Sequence, residues 1–207
     1  MKFNEAYLFD RCNYKPTDLV LGIDEVGRGC WAGPLVVCGV ILKPRYFNPL
    51  ITDSKLLSDI KRRLLSKEII ANTIDYKIAI ISVKDVDLLG PKKASIKGMI
   101  EIIQTLGLKA NRILVDYEQV KIDNLNIEGI VHGDKKSYTI SAASIIAKVY
   151  RDDLLIDIDQ TYPQYGFKNH KGYGTKQHLQ ALIKYGPIKD YHRFSYKPIS
   201  DLKKKKQ

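Results

Sequence analysis

The chain has 207 residues, 44% hydrophobic and 28% charged, a composition that allows a sizeable buried core and excludes the low-hydrophobicity signature of disorder. A net charge of +11 spread along the chain favours a polyanionic partner, above all nucleic acid. No apolar run reaches the roughly 18–20 residues needed to span a bilayer, and Cys12, Cys30 and Cys38 neither pair evenly nor form a C-x-x-C motif, so the expectation is a cytoplasmic protein with no membrane role.

After a polar lead of about 17 residues, 19–23 reads as a short buried strand delivering Asp24 and Glu25 at its end, and a glycine-rich loop follows. Residues 35–42 and 76–83 read as further strands, with a helix over 58–71 between them capped by Ser58. The isoleucines and methionine of 94–106 recur at helical spacing up to Gly107. Strands follow at 112–116 and 127–131, then a long helix over 138–162 and another over 175–185 with Thr175 as its cap. The alternation predicts an α/β fold, a mixed five-stranded sheet flanked by helices, in a catalytic domain of residues 1–160. Residues 161–207 read as a C-terminal helical extension ending in a solvated basic tail.

Asp24 and Asp116 each end an apolar strand, and ligands favour the carboxyl ends of strands in open α/β sheets. Clustered carboxylates repel, and a divalent cation makes such a cluster stable. On the long helix, Ser141, Ser144, Lys148 and Asp152 fall at three- and four-residue steps and form a polar stripe. That stripe either carries a Lys148–Asp152 salt bridge or turns Asp152 towards the sheet-edge acids. Spacing alone leaves Asp153 and Asp134 open as rivals. Gly27, Arg28 and Gly29, directly after the first two acids, suit a phosphate cradle, with the glycines allowing close backbone approach and Arg28 a bidentate contact. Lys55, Lys148, Arg151, Lys168, Lys171 and Arg193 are further candidates for backbone phosphates. The four histidines show no zinc-ligand spacing.

The ordered set Gly22-Ile23-Asp24-Glu25-Val26-Gly27-Arg28-Gly29, Ala32-Gly33-Pro34, Asp53-Ser54-Lys55, the helix of residues 141–152, His170-Lys171-Gly172-Tyr173-Gly174-Thr175 and His192-Arg193-Phe194-Ser195-Tyr196 resembles the ribonuclease HII family. The resemblance covers about residues 21–196. It implies a ribonuclease H-like fold and a metal-dependent endonuclease using Mg²⁺ or Mn²⁺ held by Asp24, Glu25, Asp116 and Asp152. It further implies that Gly27, Arg28, Gly29, Lys55, Lys148 and Tyr173 hold the substrate, with Tyr173 against the sugar whose 2′-hydroxyl distinguishes RNA from DNA. The implied substrates are RNA/DNA hybrids and duplex DNA containing single ribonucleotides, cut on the 5′ side to leave 5′-phosphate and 3′-hydroxyl ends, in ribonucleotide removal and primer processing. Cys30-Trp31 departs from the family's usual Pro plus aliphatic residue, and Tyr117 follows Asp116 where glycine is common. Trp31 is expected to pack beside the loop and Tyr117 to narrow the site. A noncatalytic nucleic-acid-binding module and a DNA nuclease with similar acids are the rival readings. Residues 200–207 lack the apolar and aromatic anchors of a sliding-clamp peptide, so no such contact is assigned; a monomer is expected, and protein partners stay open.

Overall fold

The computed structural model describes residues 3–15, 17–52 and 54–204, without the side chains of residues 55, 203 and 204. In chain order its main elements are α1 (Glu5–Asn13), β1 (Val20–Val26), β2 (Leu35–Leu42), α2 (Asp59–Ala71), β3 (Thr73–Ile81), α3 (Val83–Leu89), α4 (Pro91–Leu106), β4 (Arg112–Asp116), β5 (Ile127–Ile130), α5 (Gly133–Lys136), α6 (Tyr138–Thr161), α7 (Phe167–His170), α8 (Lys176–Tyr185) and α9 (Lys197–Lys204). The strands form one mixed sheet in the order β3-β2-β1-β4-β5. β1 pairs antiparallel with β2 and parallel with β4, which puts the ends of β1 and β4 side by side.

Strand alternation divides the core between two faces. Leu21, Ile23, Leu35 and Val37 meet Met99, Ile102 and Ile103 of α4 on one side. Val36, Cys38 and Val40 meet Ala142, Ala143, Ile145 and Ile146 of α6 on the other, with Leu65 and Ile69 of α2. Gly22 sets how closely α6 approaches, because a Cβ there would lie 2.4 Å from the Thr139 carbonyl carbon. This contact fixes the height of α6 relative to Asp24, two residues along the same face. A smaller core of Phe167, Leu182, Leu155 and Ile199 joins the C-terminal helices to the loop of Trp31 and Ala32.

Three local expectations are corrected. The lead contains α1, capped by the Asn4 side chain; it was hidden because Ala6 and Tyr7 are its only buried residues. Val83 belongs to α3 rather than to a strand, since the Ser82 side chain caps the Asp85 N–H and ends the extended run. The expected basic tail begins as α9, seated through Ile199, while residues 205–207 lie outside the described residues.

Candidate active site

The parallel pairing of β1 with β4 brings Asp24, Glu25 and Asp116 to one edge of the sheet, where they line a cleft of ≈ 280 Å³ with Val26, Gly27, Arg28, Gly29, Ser54, Asp134, Ser144, Lys148 and Tyr173. Asp24 is on the α6 face. Its Oδ1 accepts from the Glu25 N–H at 2.7 Å, and burial together with Glu25 and Asp116 holds its carboxyl well above the usual carboxylate range. Glu25 points to the opposite face, where burial also raises it while Arg28 opposes the rise. Asp116 Oδ1 accepts from the Gly133 N–H at 2.6 Å, and its carboxyl is raised by burial and, in part, by the charge of Asp134.

Asp134 therefore occupies the place expected of Asp152. The reason is helix length. Ser144 is the α6 residue that bonds Asp24, and at 1.5 Å per residue Asp152 lies about 12 Å further along the axis. It is buried there and accepts from Lys148 Nζ at 2.7 Å. Lys148, halfway between, reaches the cleft and places its ammonium 5.4 Å from the Tyr173 ring centroid. The polar stripe thus contains the salt bridge, and Asp152 is the tether of Lys148. Asp153 turns away to Arg63 at 2.5 Å.

The donor set suits a hard divalent cation, being carboxylate oxygens with no sulfur or imidazole in the lining. Glu25 Oε2 is buried, and the donor beside it is the Ser95 hydroxyl, whose contact favours the charged carboxylate although its placement is not that of a well-formed hydrogen bond. One weak neutral donor is little compensation for a buried carboxylate, and a cation in the cleft would offset the rest. Among the described residues no group of three or more Asp, Glu, His or Cys side chains is drawn together closely enough to hold a metal ion as they stand, so the acids line the cleft without forming a preassembled ligand set.

The loop carrying Gly27, Arg28 and Gly29 is built from below by two arginines that sequence reasoning had assigned to phosphate. Arg151 and Arg193 are fully buried. Arg193 donates from Nη1 to the carbonyls of Gly27 (2.6 Å) and Arg28 (3.2 Å), and from Nε and Nη2 to that of Gly33 (3.1 and 2.9 Å). Arg151 donates to the carbonyls of Pro34, Lys171 and Ala32. Gly27 has φ 95°, and a Cβ on it would sit 2.2 Å from Arg151 Nε; the turn and the buried arginine together require glycine. Beside Gly29 the space is open. Arg28 is half-buried, with Nη2 2.7 Å from Glu118 and Nη1 3.4 Å from Glu25. The side chain of Lys55 and the whole of Asp53 lie outside the described residues, whereas Ser54 lines the cleft and meets Ser144 at 3.2 Å.

Tyr173 is presented by a histidine relay that the absence of zinc spacing had left without a role. His192 Nδ1 accepts from the Ile188 N–H at 2.8 Å, so its Nε2 carries the proton and donates to His178 Nε2 at 3.1 Å. That leaves His178 Nδ1–H to donate to the Tyr173 carbonyl at 2.9 Å. Burial, the first cause in each case, holds His178 down to about 4 and His192 to about 3. Trp31 packs beside this group as expected, its ring centroid 5.5 Å from that of His178. Tyr117 is exposed at the end of β4 in the left-handed region, φ 59°, which accounts for the usual glycine there.

The ribonuclease HII family model matches residues 21–199. The chain belongs to the ribonuclease HII family. A ribonuclease HII of Mycoplasma capricolum subsp. capricolum is 52% identical over 184 residues, 88% of each chain. The structure of the PCNA:RNase HII complex from Archaeoglobus fulgidus superposes with a TM-score of 0.74 at 26% identity, over 89% of this chain and 96% of that one. The structure of Bst-RNase HIII in complex with Mn²⁺ shares the fold, with a TM-score of 0.70 at 15% identity over 91% and 70% of the two chains. Family membership makes the chain a ribonuclease H endonuclease, a phosphodiester hydrolase. It has the mixed, helix-flanked sheet expected from sequence. Among the described residues no helix is long and apolar enough to cross a membrane.

Proposed function

We propose that the chain cuts the RNA strand of RNA/DNA hybrids and the 5′ side of single ribonucleotides embedded in duplex DNA, using Mg²⁺ or Mn²⁺ held by Asp24, Glu25, Asp116 and Asp134. The observation that carries this reading is that these four acids line one cleft with Lys148, Tyr173 and the Gly27–Gly29 loop. Acids alone would repel a phosphodiester; with cations between them they attract one. When bound, such cations activate water and stabilise the leaving 3′-oxygen in an in-line displacement.

The chain's own groups orient the substrate. The loop N–H groups and Arg28 face a phosphate, Lys148 adds positive charge, and the Tyr173 ring supports the sugar whose 2′-hydroxyl is read rather than used as nucleophile. Products carry 5′-phosphate and 3′-hydroxyl ends, which suits ribonucleotide removal and primer processing in the cytoplasm. Asp152 acts on this site only through Lys148. Cleavage of an RNA/DNA hybrid in Mg²⁺ tests the assignment: Asp24→Asn, Asp116→Asn and Asp134→Asn should each lose at least about 10²-fold in rate, and Asp152→Asn markedly less. An active Asp134→Asn beside a dead Asp152→Asn would restore the set implied by resemblance alone.

A further inference from the structure

Arg28 has two carboxylates within reach, and they differ in kind. Glu25 lines the catalytic cleft, and its second oxygen has only the Ser95 hydroxyl beside it among the described residues. Glu118 lies two residues beyond Asp116, in the segment where the sequence departs from the family's habit at Tyr117. The left-handed backbone of Tyr117 turns the chain back, so that the Glu118 N–H donates to the Asp116 carbonyl at 2.6 Å. The Glu118 side chain is thereby buried, 4% exposed, beneath the guanidinium of Arg28.

The distances rank the two contacts. Arg28 Nη2 lies 2.7 Å from Glu118 Oε1, whereas Nη1 lies 3.4 Å from Glu25 Oε1. The remaining Glu118 oxygen lies 3.7 Å from Nζ of Lys92, an exposed lysine. The backbone end of Arg28 is also fixed, its carbonyl accepting from Arg193 Nη1 and the Tyr196 hydroxyl. With its backbone fixed, Arg28 keeps both carboxylates within reach of its guanidinium.

We propose that Glu118 is a positioning residue that draws the Arg28 guanidinium off Glu25, keeping the Glu25 carboxylate open to a divalent cation. A short charge-assisted bond to Glu118 outcompetes the long one to Glu25. Without Glu118, the guanidinium closes on Glu25, the other carboxylate it contacts among the described residues, and a cation must displace it. Glu118 therefore acts on metal affinity from outside the cleft lining. This rests on the assignment of the cleft acids to a divalent cation.

The test is calorimetric titration of Mn²⁺, without nucleic acid, into the full-length wild type, Glu118→Ala, Glu118→Gln, Arg28→Ala and the Arg28→Ala/Glu118→Ala double variant, each first shown to be folded by thermal unfolding. Glu118→Ala should weaken Mn²⁺ binding about two- to fivefold, the scale of one partly exposed ion pair that the cation must break. Glu118→Gln, which keeps an acceptor but not the charge, should show a smaller loss and serves if the alanine variant does not fold. Arg28→Ala should bind at least as tightly as wild type, and adding Glu118→Ala to it should change nothing further. Wild-type affinity in both Glu118 variants, or an equal loss in the Arg28→Ala background, overturns the inference. Asp24→Asn and Asp116→Asn separate the two levels. If they abolish wild-type Mn²⁺ binding while Glu118→Ala leaves it intact, only the role of Glu118 falls; if wild type binds no Mn²⁺, the metal assignment falls and takes this inference with it.

Discussion

Replacing Arg193 with alanine separates a structural arginine from a phosphate-binding one. In the native fold the Gly33 carbonyl accepts two bonds from Arg193 and the Gly27 carbonyl one at 2.6 Å. The Arg28 carbonyl would retain the Tyr196 hydroxyl, and the Gly27 carbonyl a longer bond from the Cys30 N–H. The main loss is thus the two charged bonds to the buried Gly33 carbonyl, together about 3–5 kcal/mol. For a chain of this size each kcal/mol lowers Tm by about 2–4 °C, so Tm should fall by about 6–20 °C. Arg193→Lys, with its charge concentrated at one atom, should recover only part of this. The assay is thermal unfolding, paired with the salt dependence of hybrid binding in an Asp116→Asn background. A residue that contacts phosphate contributes about 0.9 to the slope of log affinity against log salt; Arg193→Ala should leave the slope of the folded protein unchanged. Wild-type Tm with a slope reduced by about one unit would refute the buttress.

The remaining predictions concern charge. In chelator, Asp24→Asn should stabilise the protein, because Asp24 ionises in the fold against burial and the charges of Glu25 and Asp116. Its folded pKa is raised, so wild-type stability falls as pH rises from the unfolded value through the folded one; the advantage of Asp24→Asn should grow over that window and vanish below about pH 4. An advantage that shrinks with rising pH would contradict the direction. Free Mn²⁺ at about 100 times its Kd should stabilise wild type by about 2.7 kcal/mol and Asp24→Asn hardly at all, read by thermal unfolding. The histidine relay has the opposite sign. His178 and His192 are held below their unfolded pKa of about 6.5, so each should cost up to about 1.4 kcal/mol per pH unit as pH falls from about 6.5 towards their folded values. His192→Gln should flatten that acid limb in urea unfolding, and an unchanged limb would remove the relay from the account.

What was legible in the sequence depended on whether position along one element was enough. Asp24, Glu25 and Asp116 stood out because each ends an apolar strand, and the parallel pairing of β1 with β4 joins them directly. The choice between Asp134 and Asp152 needed the height of α6, set by Gly22 against Thr139, a contact between residues more than a hundred positions apart. Helical periodicity gives the face of a residue and not its distance from a site. Arg151 and Arg193 read as candidate phosphate ligands because arginine is mostly exposed; nothing local reveals that the carbonyls of Gly27, Ala32, Gly33 and Pro34 converge on them. Glu118 was invisible for the same reason, although Tyr117, the departure from the usual glycine, marked the turn that buries it.

The central claim is metal-dependent hydrolysis directed by a ribonucleotide, and one duplex tests it. A DNA duplex carrying a single ribonucleotide, incubated with the protein in Mg²⁺ or Mn²⁺ beside an all-DNA duplex and a chelated control, should be cut once, on the 5′ side of the ribonucleotide, leaving a 3′-hydroxyl and a 5′-phosphate, with both controls intact. Equal cutting of the all-DNA duplex, cutting in chelator, or no cutting in either metal would contradict the account.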